Sequence, residues 1–186
     1  MMMEMWLLPD WLRTTWIVVL GTAALLHLGH VRGMSGQRRY WHIGHVLMAV
    51  GMAEMYLPFS ARVLPAAVGM ILFAVAAGAA ATAAVWLRRR DGTWPVLWIL
   101  SSAEMAAMVY MFLPMTAHSM LISYVLAAYL LGQSLLWAFG AWDRYLLPTR
   151  PAPAHGAAPP ARTSPLALRL SLVAMSTGMA HMLLAM

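Results

Sequence analysis

Three segments of the chain carry methionine at one shared spacing. The first reads His45-x-x-Met48-x-x-x-Met52-x-x-Met55, the second Ser101-x-x-Glu104-x-x-x-Met108-x-x-Met111, and the third Leu172-x-x-Met175-x-x-x-Met179-x-x-Met182. The second follows the first by 56 residues and the third follows it by 127. At about 100° per residue, steps of four and three keep these positions within roughly 60° of arc on a helix. Each segment therefore predicts a helix with a sulfur-bearing seam. A thioether is neutral and soft, so it suits Cu(I) or Ag(I) and holds Mg, Ca or Zn poorly. Three converging thioethers would make a trigonal site that needs no deprotonation. If the three helices face a common axis, the layers are His45/Ser101/Leu172, Met48/Glu104/Met175, Met52/Met108/Met179 and Met55/Met111/Met182. Layers about one turn apart, roughly 5–6 Å, could pass a soft monovalent ion along that axis, with Glu104 balancing part of its charge. Methionine is also pliable core filler, and that is the competing reading of the seams.

Histidine adds a second candidate donor set. His27 and His30 close one apolar stretch, and His42 and His45 open the next, each pair sharing a helix face at i, i+3. A hairpin would bring all four to one membrane edge beside Glu104 and Met48, as a Cu(I) or Cu(II) exit or storage site. Glu54, Tyr110 and His181 occupy equivalent positions of the repeat, roughly 100–120° off the seam. They are expected to face neighbouring helices, with a Glu54–His181 hydrogen bond locking two of them or an outer metal or proton site there. Met1, Met2, Met3, Met5, Met115, Met120 and Met186 would cluster as a lip at the far end. Opposed histidines can also ligate haem axially, which makes a haem-binding electron carrier the alternative. The histidine pairs, however, sit on adjacent, short-linked helices. No nucleophile elbow, zinc-protease or phosphate-loop motif is present, and no catalytic residue is named.

The elements that must position these residues follow from composition. Of 186 residues, 62% are hydrophobic and only 10% charged, with 18 methionines and no cysteine. A soluble domain is about a quarter charged, so an integral membrane protein is expected. Without cysteine there is no disulfide, zinc-thiolate or thiol nucleophile. Charge-poor stretches of about the roughly 20 residues that cross a bilayer fall at 11–31, 40–59, 63–87, 94–115, 116–142 and 169–186. Period-2 alternation of the barrel type is absent. The expected fold is an all-α, single transmembrane domain of six helices. They form three pseudo-repeated hairpins (11–59, 63–115 and 116–186) around an approximate threefold axis, with a Pro/Ala-rich linker at 148–165.

Arginine supplies every one of the twelve basic side chains. Arg32, Arg38, Arg39, Arg88, Arg89, Arg90, Arg144, Arg150, Arg162 and Arg169 fall in or beside the odd-numbered connections, against Arg13 and Arg62 on the other side. By the positive-inside rule those connections are cytoplasmic and both termini outside. The positive excess thus points to topology in a bacterial cytoplasmic membrane, and no nucleic-acid partner is expected.

The segment His45-x-x-Met48-x-x-x-Met52-x-x-Met55 and its degenerate copies resemble an actinobacterial membrane family of unknown function. Its members look like six-span proteins with several such segments. Here Ser101 and Leu172 stand where histidine would be expected, and Glu104 where methionine would. The arrangement is also similar to that of the eukaryotic high-affinity copper transporters, which look like trimers with Met-x-x-x-Met triads around a threefold axis. Met48-x-x-x-Met52 and Met175-x-x-x-Met179 match that spacing, whereas Glu104-x-x-x-Met108 does not. The expected function is membrane Cu(I) binding for transport, delivery or storage, with the copper ion, membrane lipid and an unidentified copper donor or acceptor protein as partners. A non-catalytic assembly partner of a membrane complex is a further alternative.

Overall fold

The computed structural model describes residues 9–34, 36–142 and 165–185. Prolines and glycines set most of its helix boundaries. Helix α1 (Asp10–Gly33) begins after Pro9. Helix α2 (Gln37–Tyr56) stops ahead of Pro58, because the residue before a proline avoids helical geometry and Leu57 is extended at ψ 148°. A single 3-10 turn, Phe59–Ala61, leads to Pro65 and α3 (Ala66–Asp91). That helix closes on Gly92, whose φ of 69° lets its N–H return to the Arg88 carbonyl. Pro95 opens α4 (Val96–Met111), and Pro114 precedes a second 3-10 turn, Met115–Ala117. Helices α5 (Met120–Ala138) and α6 (Pro165–Leu184) complete the chain.

Six helices and no strand are thus present among the described residues. Their bounds correct the expected spans. The stretch 94–115 yields only 16 helical residues, since Pro95 and Pro114 bracket it; at 1.5 Å per residue α4 is roughly 24 Å long. The stretch 116–142 starts late, at Met120, because the 3-10 turn takes up its first residues. Four helices, α1, α3, α5 and α6, are long and apolar enough to cross a membrane. Helix α4 is too short for that criterion, and α2 is diluted by arginine, histidine and glutamate. The N-terminal methionines, Met186, Arg144, Arg150, Arg162, His155 and all but the last residue of the linker 148–165 lie outside the described residues.

The helices pack as consecutive pairs, α1 with α2, α3 with α4, and α5 with α6. Helix α1 also packs on α6, and α2, α4 and α6 touch one another. The odd helices turn large apolar side chains outward, among them Val18 and Leu25 of α1, Ile71 and Val75 of α3, and Leu121 and Val125 of α5. So much exposed apolar surface is stable only in lipid, and with the four long apolar helices it marks a multi-pass membrane protein. The two arginines that break the charge bias are used locally. Arg13 pairs with Asp10, and Arg62 donates to the carbonyls of Met55 (2.7 Å) and Leu57 (3.2 Å) at the C-terminus of α2.

Candidate metal centre

The seam residues of α2, α4 and α6 form the interior. Met48, Met52, Met108, Met179 and Met182 are fully buried, and Met55, Met111, Met175 and Glu104 nearly so. All eight methionines belong to one apolar cluster. Two glycines fix how the seams meet. A Cβ on Gly51 would stand 3.1 Å from Met108 Cε, and one on Gly178 would stand 3.0 Å from Met52 Cε. The methyl of Met108 therefore presses on α2 beside Met52, and the methyl of Met52 presses on α6 beside Met179. Gly51 and Gly178 are themselves equivalent positions of the repeat, so the same knob enters the same gap at two successive interfaces.

A polar knot interrupts the sulfur-rich interior. Glu104 is 3% exposed, and its Oε1 accepts a hydrogen bond of 2.6 Å from Gln133 Nε2 on α5. Its Oε2 lies 3.6 Å from His45 Nε2. His45 is held for this by its other nitrogen, which donates to the Trp41 carbonyl at 2.9 Å. Around the carboxyl, Gln133 Oε1, Ser101 Oγ and Tyr129 Oη are buried without a hydrogen-bond partner, so the layer holds spare donors and acceptors.

The four histidines of α1 and α2 do come together. The His27 ring centre lies 5.1 Å from that of His42 and 5.0 Å from that of His45, and His30 stacks on His42 at 4.9 Å. Hydrogen bonds occupy them. Ser171 Oγ donates its one hydrogen to the Leu168 carbonyl (2.7 Å), so it accepts from His27 Nε2 (3.2 Å). That leaves Nδ1 of neutral His27 to accept from His42 Nδ1 at 2.9 Å. His30 Nδ1 donates to the Leu26 carbonyl at 2.7 Å. Among the described residues no three His, Cys, Asp or Glu side chains could hold one metal ion. The four imidazoles expected as a copper site thus form a hydrogen-bonded network, in which Nδ1 of every ring and Nε2 of His27 have partners.

Glu54, Tyr110 and His181 correct a second expectation. Glu54 does not reach His181; its Oε1 accepts the N–H groups of Val63 and, at 2.7 Å, Leu64. The physical reason is proximity to the donors that precede α3, which have no helical acceptor of their own. Tyr110 does the same one repeat later, its hydroxyl accepting from Ser119 N at 2.8 Å. Val63 and Ser119 are again 56 residues apart. Both side chains staple the connection that leads from their own hairpin to the next. His181 instead meets the Tyr56 hydroxyl at 3.0 Å, with Trp16 stacked on both rings.

Sequence reasoning missed Gln133, Met105, Ser171 and Tyr56. Gln133 was findable as an uncharged amide inside an apolar stretch, and Met105 (3% exposed) lies just off the seam. Ser171 and Tyr56 carried no signal apart from tertiary contact. No curated protein and no solved structure matches the chain. A family model described as a domain of unknown function, DUF5134, matches residues 37–186, from the start of α2 through all three methionine segments. The chain belongs to the DUF5134 family.

Proposed function

We propose that this protein binds Cu(I) in the membrane through the thioethers of α2, α4 and α6, for copper transport, delivery or storage. On this reading all six helices cross the bilayer as three hairpins about an approximate threefold axis. The arginine-rich connections are cytoplasmic, and the membrane is a bacterial cytoplasmic membrane. The observation that carries the proposal is that all eight seam methionines are buried in one cluster, with Met52 packed against Gly178 and Met108 against Gly51. Soft sulfur donors screened from water favour a monovalent soft ion over hard divalent ions. The Met48/Glu104/Met175 layer adds a carboxyl that can offset one positive charge. His45, held by its bond to the Trp41 carbonyl, faces that carboxyl.

The test is metal analysis of protein purified after growth with copper, with Ag(I) as a second probe. Stoichiometric metal is expected. It should be lost when Met52→Leu, Met108→Leu and Met179→Leu are combined in a variant that still folds. A folded triple variant with undiminished metal would refute the thioether site, and protein that never takes up Cu(I) or Ag(I) would leave methionine as packing. Flux into proteoliposomes separates conduction from storage.

A further inference from the structure

At the arginine-bearing end of the seam lies a cavity of about 230 Å³, walled by the starts of α2, α4 and α6. Trp41, Leu97 and Leu168 line it, one residue from each inner helix. They are equivalent in the repeat at offsets of 56 and 127, and lie four residues before His45, Ser101 and Leu172. The cavity is therefore the outermost layer of the seam, open at the membrane edge. Its walls also include Trp94 and Trp98, and its polar edge is Arg38 with Gln37 and His42. A second guanidinium, that of Arg88, sits 4.6 Å above the Trp94 ring.

Charge decides what this cavity can hold. The Arg38 guanidinium, with Arg88 beyond the Trp94 ring and no carboxylate among the residues lining the cavity, repels a bare cation and attracts an anion. Indole walls at a membrane edge suit a ligand that is polar at one end and apolar at the other. The volume is below the about 300–1,000 Å³ of pockets for drug-sized ligands, so it fits a headgroup and not a whole amphiphile. We propose that this cavity binds the phosphate headgroup of an anionic phospholipid, with the phosphate on Arg38 and Gln37 and the glycerol and first methylenes against Trp98 and Leu168. A headgroup seated there caps the seam at its arginine-bearing end. The proposal is independent of the metal reading and is tested on metal-free protein.

The experiment is a titration of the detergent-solubilised full chain with short-chain phosphatidylglycerol, phosphatidylcholine or inorganic phosphate. Intrinsic tryptophan fluorescence is the readout, with native mass spectrometry to count bound lipid. Phosphatidylglycerol should give a saturable change and one retained lipid, and phosphatidylcholine should give neither. Arg38→Gln should weaken binding about five- to tenfold, the scale expected for one basic side chain at a membrane surface. Val96→Trp, which fills the cavity without changing charge, should abolish it. An equal response to phosphatidylcholine, or undiminished binding in a folded Arg38→Gln or Val96→Trp variant, would overturn the site. Saturation by inorganic phosphate at the same concentrations would overturn the lipid assignment in favour of a soluble phosphate compound.

Discussion

Replacing Gln133 by leucine tests whether Glu104 is held in place by the one amide that donates to it. Glu104 and Gln133 are each 3% exposed, and their hydrogen bond is 2.6 Å long. Leucine keeps most of the volume but strands a buried acceptor, which costs about 1–3 kcal/mol. Gln133 Oε1 has no partner of its own, so its removal offsets part of that loss, and a net of about 1–2 kcal/mol is expected. For a chain of this size that lowers the unfolding temperature by about 2–8 °C, at roughly 2–4 °C per kcal/mol. Glu104→Leu strands the amide in the same way. The double variant removes both partners, so it should lie near the parent protein, with a coupling energy of about 2–4 kcal/mol, the sum of the two single losses. Thermal unfolding of the four proteins in detergent, free of metal, measures this. Losses that add to within about 0.5 kcal/mol would refute the pairing.

Other substitutions separate packing from chemistry. Gly51→Ala places a Cβ 2.5 Å from Phe73 Cζ and should cost about 1–3 kcal/mol by overpacking, whereas Gly21→Ala, with nothing within 4 Å, should be neutral or stabilising by up to about 1 kcal/mol in the same melts. Tyr110→Phe removes the acceptor for Ser119 N–H and should speed hydrogen exchange at that amide without changing metal content; Glu54→Ala should do the same at Val63 and Leu64. Tyr56→Phe deprives His181 of its hydroxyl partner and should destabilise by about 1 kcal/mol.

Much of the architecture was legible because membrane helices announce themselves twice, by apolar length and by bounding prolines. The three methionine segments could be read as buried edges because steps of four and three define one helix face, and all eight of their methionines are interior. The histidines could be brought together on the page by their hairpin, but not assigned a role. Whether an imidazole nitrogen faces a metal or another imidazole depends on hydrogen-bond partners such as Ser171, which lies 144 residues from His27. The failed Glu54–His181 bond has the same origin. Pattern placed both groups at one depth, but a carboxylate takes the nearest unsatisfied donors, and those were backbone amides of its own turn. Helix ends differ from the apolar stretch where prolines bound the helix inside it, Pro95 at its start and Pro114 beyond its end.

The unequal arms of the second hairpin have a mechanical consequence. Helix α3 has 26 residues, roughly 39 Å, and α4 only 16, roughly 24 Å. A hydrocarbon core of about 30 Å is exceeded by the longer, lipid-facing arm, which can tilt to suit a thinner or thicker sheet of acyl chains. The shorter arm is shielded by its neighbours and is spared that adjustment. Changes in bilayer thickness therefore load the outer scaffold first and leave the spacing of the inner sulfur-bearing helices undisturbed.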